Sequence, residues 1–410
     1  MVFTNEKGVE VPNAAFLRLW TGMTASGLAT WALPFILGLA VLDKSLSPAA
    51  LGVVLATRTI GFLAAVPVGG VLADRYSRRA VVLWSGLIAA VASPVIAMGS
   101  VPLMAVAATV VGVGQGACRP AFQALVAEVV AVERRQQANA AMTLSVRVTT
   151  LLAPGLTALL ATVVTTGWLL VGTGLLWLVA AFLPPNGAGK PVTQDTRPRL
   201  IDEFAEGIRE ARRHPWFVAG LGALSAVIFT GYSATGVALP LLSGSEAVLA
   251  AALTAYTAGA LAGALIIARW RPRRQGWAAL AGLACYGFAP LSLLADLGPV
   301  TLIAAYVVTG IGIELFNVPW FTATQREVEP RLLARVSSLD FLLSYGLAPL
   351  GLALIAPAID AFGTTAVLAG CAVICFAAPA IAALVPTSRD FGRSRTARQT
   401  EIGSSRPVDK

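Results

Sequence analysis

Of 410 residues, 57% are hydrophobic and only 12% charged, and the mean hydropathy is +0.76. A soluble chain carries roughly twice that charged fraction, so an ordinary soluble globule is excluded. The net charge of +9 does not point to nucleic acid either. The basic residues sit in short gaps between long apolar runs, where topology and attraction to anionic lipid account for them.

A run of about 20 apolar residues crosses the hydrocarbon core as a helix. In chain order the sequence predicts twelve such spans, at 16–42, 50–73, 80–98, 102–127, 138–164 and 168–183, then 215–242, 248–268, 276–295, 299–323, 337–359 and 364–385. Span 1 is too long for a signal-peptide core and has no convincing cleavage site, so it is expected to stay in place. Of the 30 Lys and Arg residues, 25 fall into one alternating set of gaps and only Lys44 into the other. Cationic gaps remain cytoplasmic, which predicts a multi-pass protein of an inner or plasma membrane with both termini in the cytoplasm. Arg outnumbers Lys 26 to 4 in an Ala-rich chain, a composition that suggests a bacterial source.

The predicted organisation is an all-α membrane protein with bundles at 1–183 and 215–385. A cytoplasmic linker at 184–214 joins them, and a polar tail at 386–410 is expected to be disordered. Within the linker, 184–198 is rich in Pro and Gly and should be irregular. Leu200, Ile201, Phe204 and Ile208 then recur at helical spacing, with Asp202, Glu203, Arg209 and Arg212 between them. That pattern fits either an amphipathic helix on the inner membrane face or a plain connector. The four cysteines, Cys118, Cys285, Cys371 and Cys375, lie in apolar segments. Cys371 and Cys375 share a helical face but lack further ligands, so they read as packing residues, and no metal or other cofactor is expected.

The halves resemble each other. Pro120-Ala-Phe122 with Glu128-Val129 recurs as Pro319-Trp-Phe321 with Glu327-Val328. The loop ending Arg78-Arg79 has a counterpart ending Arg273-Arg274, and Leu152-Ala-Pro154 recurs as Leu347-Ala-Pro349. Two parallel six-helix repeats are a transporter plan, with substrate handled near the midplane between them.

Gly70-Val-Leu-Ala-Asp74-Arg75-Tyr-Ser-Arg78-Arg79, between spans 2 and 3, resembles the signature loop of the major facilitator superfamily. Within it, the chain is similar to the bacterial drug-exporter branch that includes macrolide-efflux and siderophore-exporter proteins. Arg119-Pro-Ala-Phe, Glu133-Arg-Arg-Gln-Gln-Ala-Asn139, Glu314-Leu-Phe-Asn-Val-Pro-Trp320 and Arg335-Val-Ser-Ser-Leu-Asp340 carry that likeness. The resemblance implies that spans 1, 4, 7 and 10 line a cavity and that 3, 6, 9 and 12 face lipid; those last four contain no Asp, Glu, Lys or Arg, as lipid contact requires. It also implies a gate in which Asp74, Arg75 and Arg78 bond toward the start of span 11. The chain departs from the family at Ser77, where Gly is usual, at Ala153-Pro154-Gly155 in the antiporter motif, and at Thr30, where related exporters often carry an acid.

Charges inside membrane spans are costly and mark function. Arg18, Arg58, Arg119 and Arg147 lie within the apolar runs; Arg18 sits near an inner end, where it can snorkel. At about 1.5 Å per residue, Arg119, Arg147 and Glu314 share a depth of roughly 13 Å from the inner ends of their spans, and Arg58 lies toward the outside. That layer predicts that Glu314 pairs with Arg119 or Arg147, either as a fixed structural ion pair or as a proton-coupling switch, because burial and a nearby guanidinium act oppositely on a carboxyl group. Asp340, read as opening span 11, is either an acid favoured by the helix dipole or part of the gate. The remaining loop arginines read as topology signals. No Gly-x-x-x-x-Gly-Lys-Ser/Thr phosphate loop is present, and no clustered nucleophile and base suggest an enzyme. The expected function is proton-driven export of a small amphiphilic molecule by a monomer. An importer on the same fold and a non-transporting sensor or scaffold are the alternatives.

Overall fold

In hydrocarbon every backbone N–H and C=O needs a partner from its own segment, so the apolar runs fold as helices. The computed structural model describes residues 14–187, 200–295 and 298–392. The helices are α1 (Ala14–Leu42), α2 (Pro48–Arg75), α3 (Arg78–Val95), α4 (Val101–Val129), α5 (Arg135–Ala161), α6 (Thr166–Phe182), α7 (Leu200–Arg212), α8 (Pro215–Leu242), α9 (Glu246–Arg269), α10 (Gln275–Ala295), α11 (Pro299–Glu327), α12 (Leu333–Phe362) and α13 (Thr364–Ala383). Eleven of them are long and apolar enough to cross a membrane, and α6, apolar but 17 residues long, is the twelfth. Among the described residues there is no strand. Residues 188–199, most of the predicted irregular linker, lie outside the described residues.

Two compact units result: residues 1–208 with 329–346, and residues 209–328 with 347–410. The first therefore extends beyond the first repeat and takes in the opening of α12. In it, α2 and α4 touch backbone to backbone. A Cβ at Gly112 or Gly116 would overlap the carbonyl oxygen of Arg58 or Phe62, so small residues spaced four apart set this contact. The second unit repeats the device, with Gly259 and Gly263 of α9 against the Val307 and Ile311 carbonyls of α11.

Three expectations change. Span 11 begins at Leu333 rather than 337, after a 3₁₀ turn at Pro330–Leu332. Asp340 is therefore two turns inside the helix, not in its first turn, and the helix dipole does not explain it. The tail is ordered further than its composition suggests: Pro386–Arg389 forms a 3₁₀ turn and Phe391 is fully buried. Trp216, Trp320 and Phe316 surround it at centroid distances of 5.2, 5.7 and 6.4 Å. Residues 393–410 lie outside the described residues. Finally, α7 turns its acidic face inward: Glu203, Gly207 and Glu210 are buried while Ile201 is exposed.

α8 is not a regular α-helix throughout. Ile228–Tyr232 and Ala234–Ala238 wind as wide π-turns, a local loosening often found where function needs it. Pro240 closes this segment, and Pro34 and Pro319 lie inside otherwise continuous α1 and α11.

Candidate functional site

The last turn of α2 carries Asp74, whose carboxylate is buried. Its Oδ1 accepts from the Ala334 amide at 3.2 Å and its Oδ2 from the Arg335 amide at 2.9 Å. These amides open α12, so Asp74 supplies from another helix the cap that its first turn lacks. Arg78 Nη2 donates to Asp74 Oδ1 at 3.2 Å and also to the Pro330 carbonyl, while its Nη1 meets Glu128 Oε1 at 2.7 Å. Ser77, the departure from the family's Gly, caps α3 by accepting from the Ala80 amide, a role that Gly has no side chain to fill.

Around this knot α7 contributes two carboxylates, Glu203, placed by the sequence only on a helix face, and Glu206, which the sequence did not single out. Glu203 lies 3.6 Å from Arg75 Nε and 3.3 Å from Arg335 Nη2, and Glu206 lies 2.7 Å from Arg335 Nη1. Arg335 is thus a buried, multiply paired residue in the first turn of α12 and not a loop cation acting as a topology signal alone. The misplaced helix start hid it. Gly207 lets α7 come this close: a Cβ there would sit 2.9 Å from Arg335 Cβ.

Deeper in the first unit, Arg58 of α2 donates through Nη2 to Gln115 Oε1 at 2.8 Å and to the Thr30 carbonyl at 3.1 Å. One helical turn below Gln115, Arg119 donates to the Tyr345 hydroxyl at 3.1 Å, and its guanidinium lies 5.5 Å from that ring's centroid. Tyr345 in turn packs on Phe62 at 5.1 Å. Gln115, Tyr345 and Phe62 were absent from the sequence reading; Tyr345 is 226 residues from Arg119, and nothing local signals the pairing. Arg18, the shallow exception, donates to the Leu183 carbonyl at 3.0 Å. Arg147 lies in α5 and is partly buried. In the second unit, Glu314 has 0% exposure within α11.

A buried carboxylate knot at one helix end, with charged side chains deep in apolar helices, is the arrangement expected of a polytopic transporter. The profile of the Major Facilitator Superfamily matches residues 19–350. The chain belongs to this superfamily. As a member it is a multi-pass membrane protein of a transporter family, with the small-molecule substrate and membrane setting that implies. Among solved structures it is similar to the crystal structure of the human organic anion transporter MFSD10 (TETRAN), with a TM-score of 0.73 and 14% identity over 91% of this chain and 100% of that one. That likeness supports the superfamily's twelve-helix fold and nothing finer. No curated protein sequence matches the chain.

Proposed function

We propose that the protein is an alternating-access secondary transporter of a bacterial inner or plasma membrane. It exports a small amphiphilic organic compound, such as an antibiotic or other natural product, in exchange for protons. In this reading both termini are cytoplasmic, the protein works as a monomer, and 1–183 and 215–385 are the repeats that rock. The observation that carries it is Glu314, a fully buried acid in the middle of an apolar helix, since burying a carboxyl group there is expensive unless its chemistry is used. Glu314 takes up a proton when a partner cation withdraws, and releases it when the cation returns. Asp74, Arg75, Arg78 and Asp340 form the cytoplasmic gate. The bonds that the Ala334 and Arg335 amides donate to Asp74 support this, because such bonds can be broken and remade without opening a cavity.

The test is transport in everted vesicles together with resistance profiling in an efflux-deficient host. Wild type should accumulate substrate in the vesicles under an imposed proton gradient and raise resistance. Glu314→Gln should abolish proton-driven accumulation while the folded protein stays in the membrane. Depletion in place of accumulation would make the protein an importer. Undiminished proton-driven efflux by Glu314→Gln would sink the coupling scheme.

A further inference from the structure

We infer that Arg58 and Arg119 form a recognition site for an organic anion, specifically a carboxylate carried on an apolar, aromatic body. The inference rests on the transporter reading and names the substrate class. A guanidinium in low dielectric ordinarily has a carboxylate beside it, because an uncompensated buried charge is costly. Among the described residues of the first unit, neither arginine forms an ion pair with one. Arg58 is held by the Gln115 side-chain oxygen and the Thr30 carbonyl, and Arg119 by a tyrosine hydroxyl and ring. These are neutral dipoles. They orient the cations without cancelling them. Moreover, Arg58 Nε is buried with no hydrogen-bond partner, a donor whose cost is recovered only when an acceptor arrives.

The two cations belong to one circuit. Arg58 reaches Gln115, which shares a face of α4 with Arg119 four residues on. Arg119 reaches Tyr345, Tyr345 packs on Phe62, and Phe62 lies four residues beyond Arg58 on α2. Phe341 completes the aromatic side at 6.1 Å from Tyr345. The backbone contacts at Gly112 and Gly116 fix the register that brings Gln115 to Arg58. Arg58, Arg119 and Tyr345 are each partly buried over the whole residue, with the Arg58 Nε end of the guanidinium inside. A carboxylate accepts from a guanidinium plane in a fork geometry, and an adjoining aromatic wall suits a flat apolar body. A cationic drug would meet two like charges here.

The experiment uses the full chain in detergent micelles, with equilibrium dialysis of three matched sets built on naphthalene, biphenyl and indole skeletons. Each set contains the carboxylate, its primary amide and the corresponding methylamine. At least one carboxylate should bind roughly 10–100-fold more tightly than its amide, the value of a charge-assisted contact, and the amines should not bind. Arg58→Gln and Arg119→Gln should each erase that preference, and Arg119→Lys should keep part of it because charge survives while the fork is lost. Amides or amines binding as well as the carboxylates, no carboxylate binding at all, or folded Gln variants that keep the preference would each overturn the proposal. If a Gln variant does not fold, the wild-type preference and Arg119→Lys still decide. Carboxylate binding without movement of any probe in proteoliposomes would leave the site standing and sink the export reading alone.

Discussion

The fourth helix of each repeat ends on the same template, Pro120-Ala-Phe122 to Glu128 in one and Pro319-Trp-Phe321 to Glu327 in the other, and the two ends are held by different physics. In the first unit Glu128 engages Arg78, Arg78 engages Asp74, and Asp74 caps the start of α12. In the second, Glu327 meets its neighbour Arg326, whose Nη2 donates to the Asp390 and Phe391 carbonyls, and Trp320 stacks on Phe217 at 4.8 Å and on Phe316 at 5.3 Å. The loop matching Asp74–Arg79 has no acid, and its Arg274 lies over Trp277 at 5.0 Å instead. Directional bonds to a carboxylate can be exchanged for others without leaving a void. Aromatic packing cannot, because separating close-packed rings forfeits their contacts outright. One recurring pattern is held by charge-assisted bonds in the first unit and by aromatic packing in the second.

The contrast can be broken from the aromatic side first. Phe391→Ala should cost about 3–5 kcal/mol, read as a lower unfolding temperature in detergent, with transport per folded molecule unchanged. Asp74→Asn should do the reverse. It loses charge-assisted bonds worth about 1.5–3 kcal/mol each, so turnover in proteoliposomes should fall about 10–100-fold while folded yield holds; a variant that merely unfolds would erase the distinction. Gly207→Ala forces a Cβ toward Arg335, and strain of about 1–3 kcal/mol should appear as faster hydrogen exchange confined to α7. The smallest effect belongs to Arg331→Ala. Its pairs with Glu206 and Glu329 are substantially exposed, so less than about 1 kcal/mol is expected, and a larger loss would show that the ion-pair network around Asp74 extends to the surface.

Much of the fold was legible because hydrophobic length and cation asymmetry act along the chain, residue by residue. The signature loop was legible too, since Asp74 and Arg78 sit one helical turn apart. What escaped notice depends on partners far away in sequence. Arg335 looked like a loop cation because Leu333 to Val336 was read as lying before the span; α12 starts there because Asp74, 261 residues from Arg335, supplies its cap. Amphipathicity left α7 as either a helix on the inner membrane face or a plain connector and could not say that Glu203 faces inward, since its partners Arg335 and Arg75 lie far off in sequence. Tyr345 and Gln115 are ordinary residues whose importance comes entirely from the arginines they meet.

Phe391 holds a backbone φ of +47°, a conformation that bulky residues seldom adopt, and it holds it with its ring sealed among tryptophans. For anyone attaching a purification tag or a fluorescent partner, the folded body therefore reaches at least to Gly392, beyond Val385, where the apolar sequence stops. Fusion after Gly392 leaves the seal in place. Fusion at Val385 removes the stopper and exposes Trp216, Phe316 and Trp320 to whatever follows.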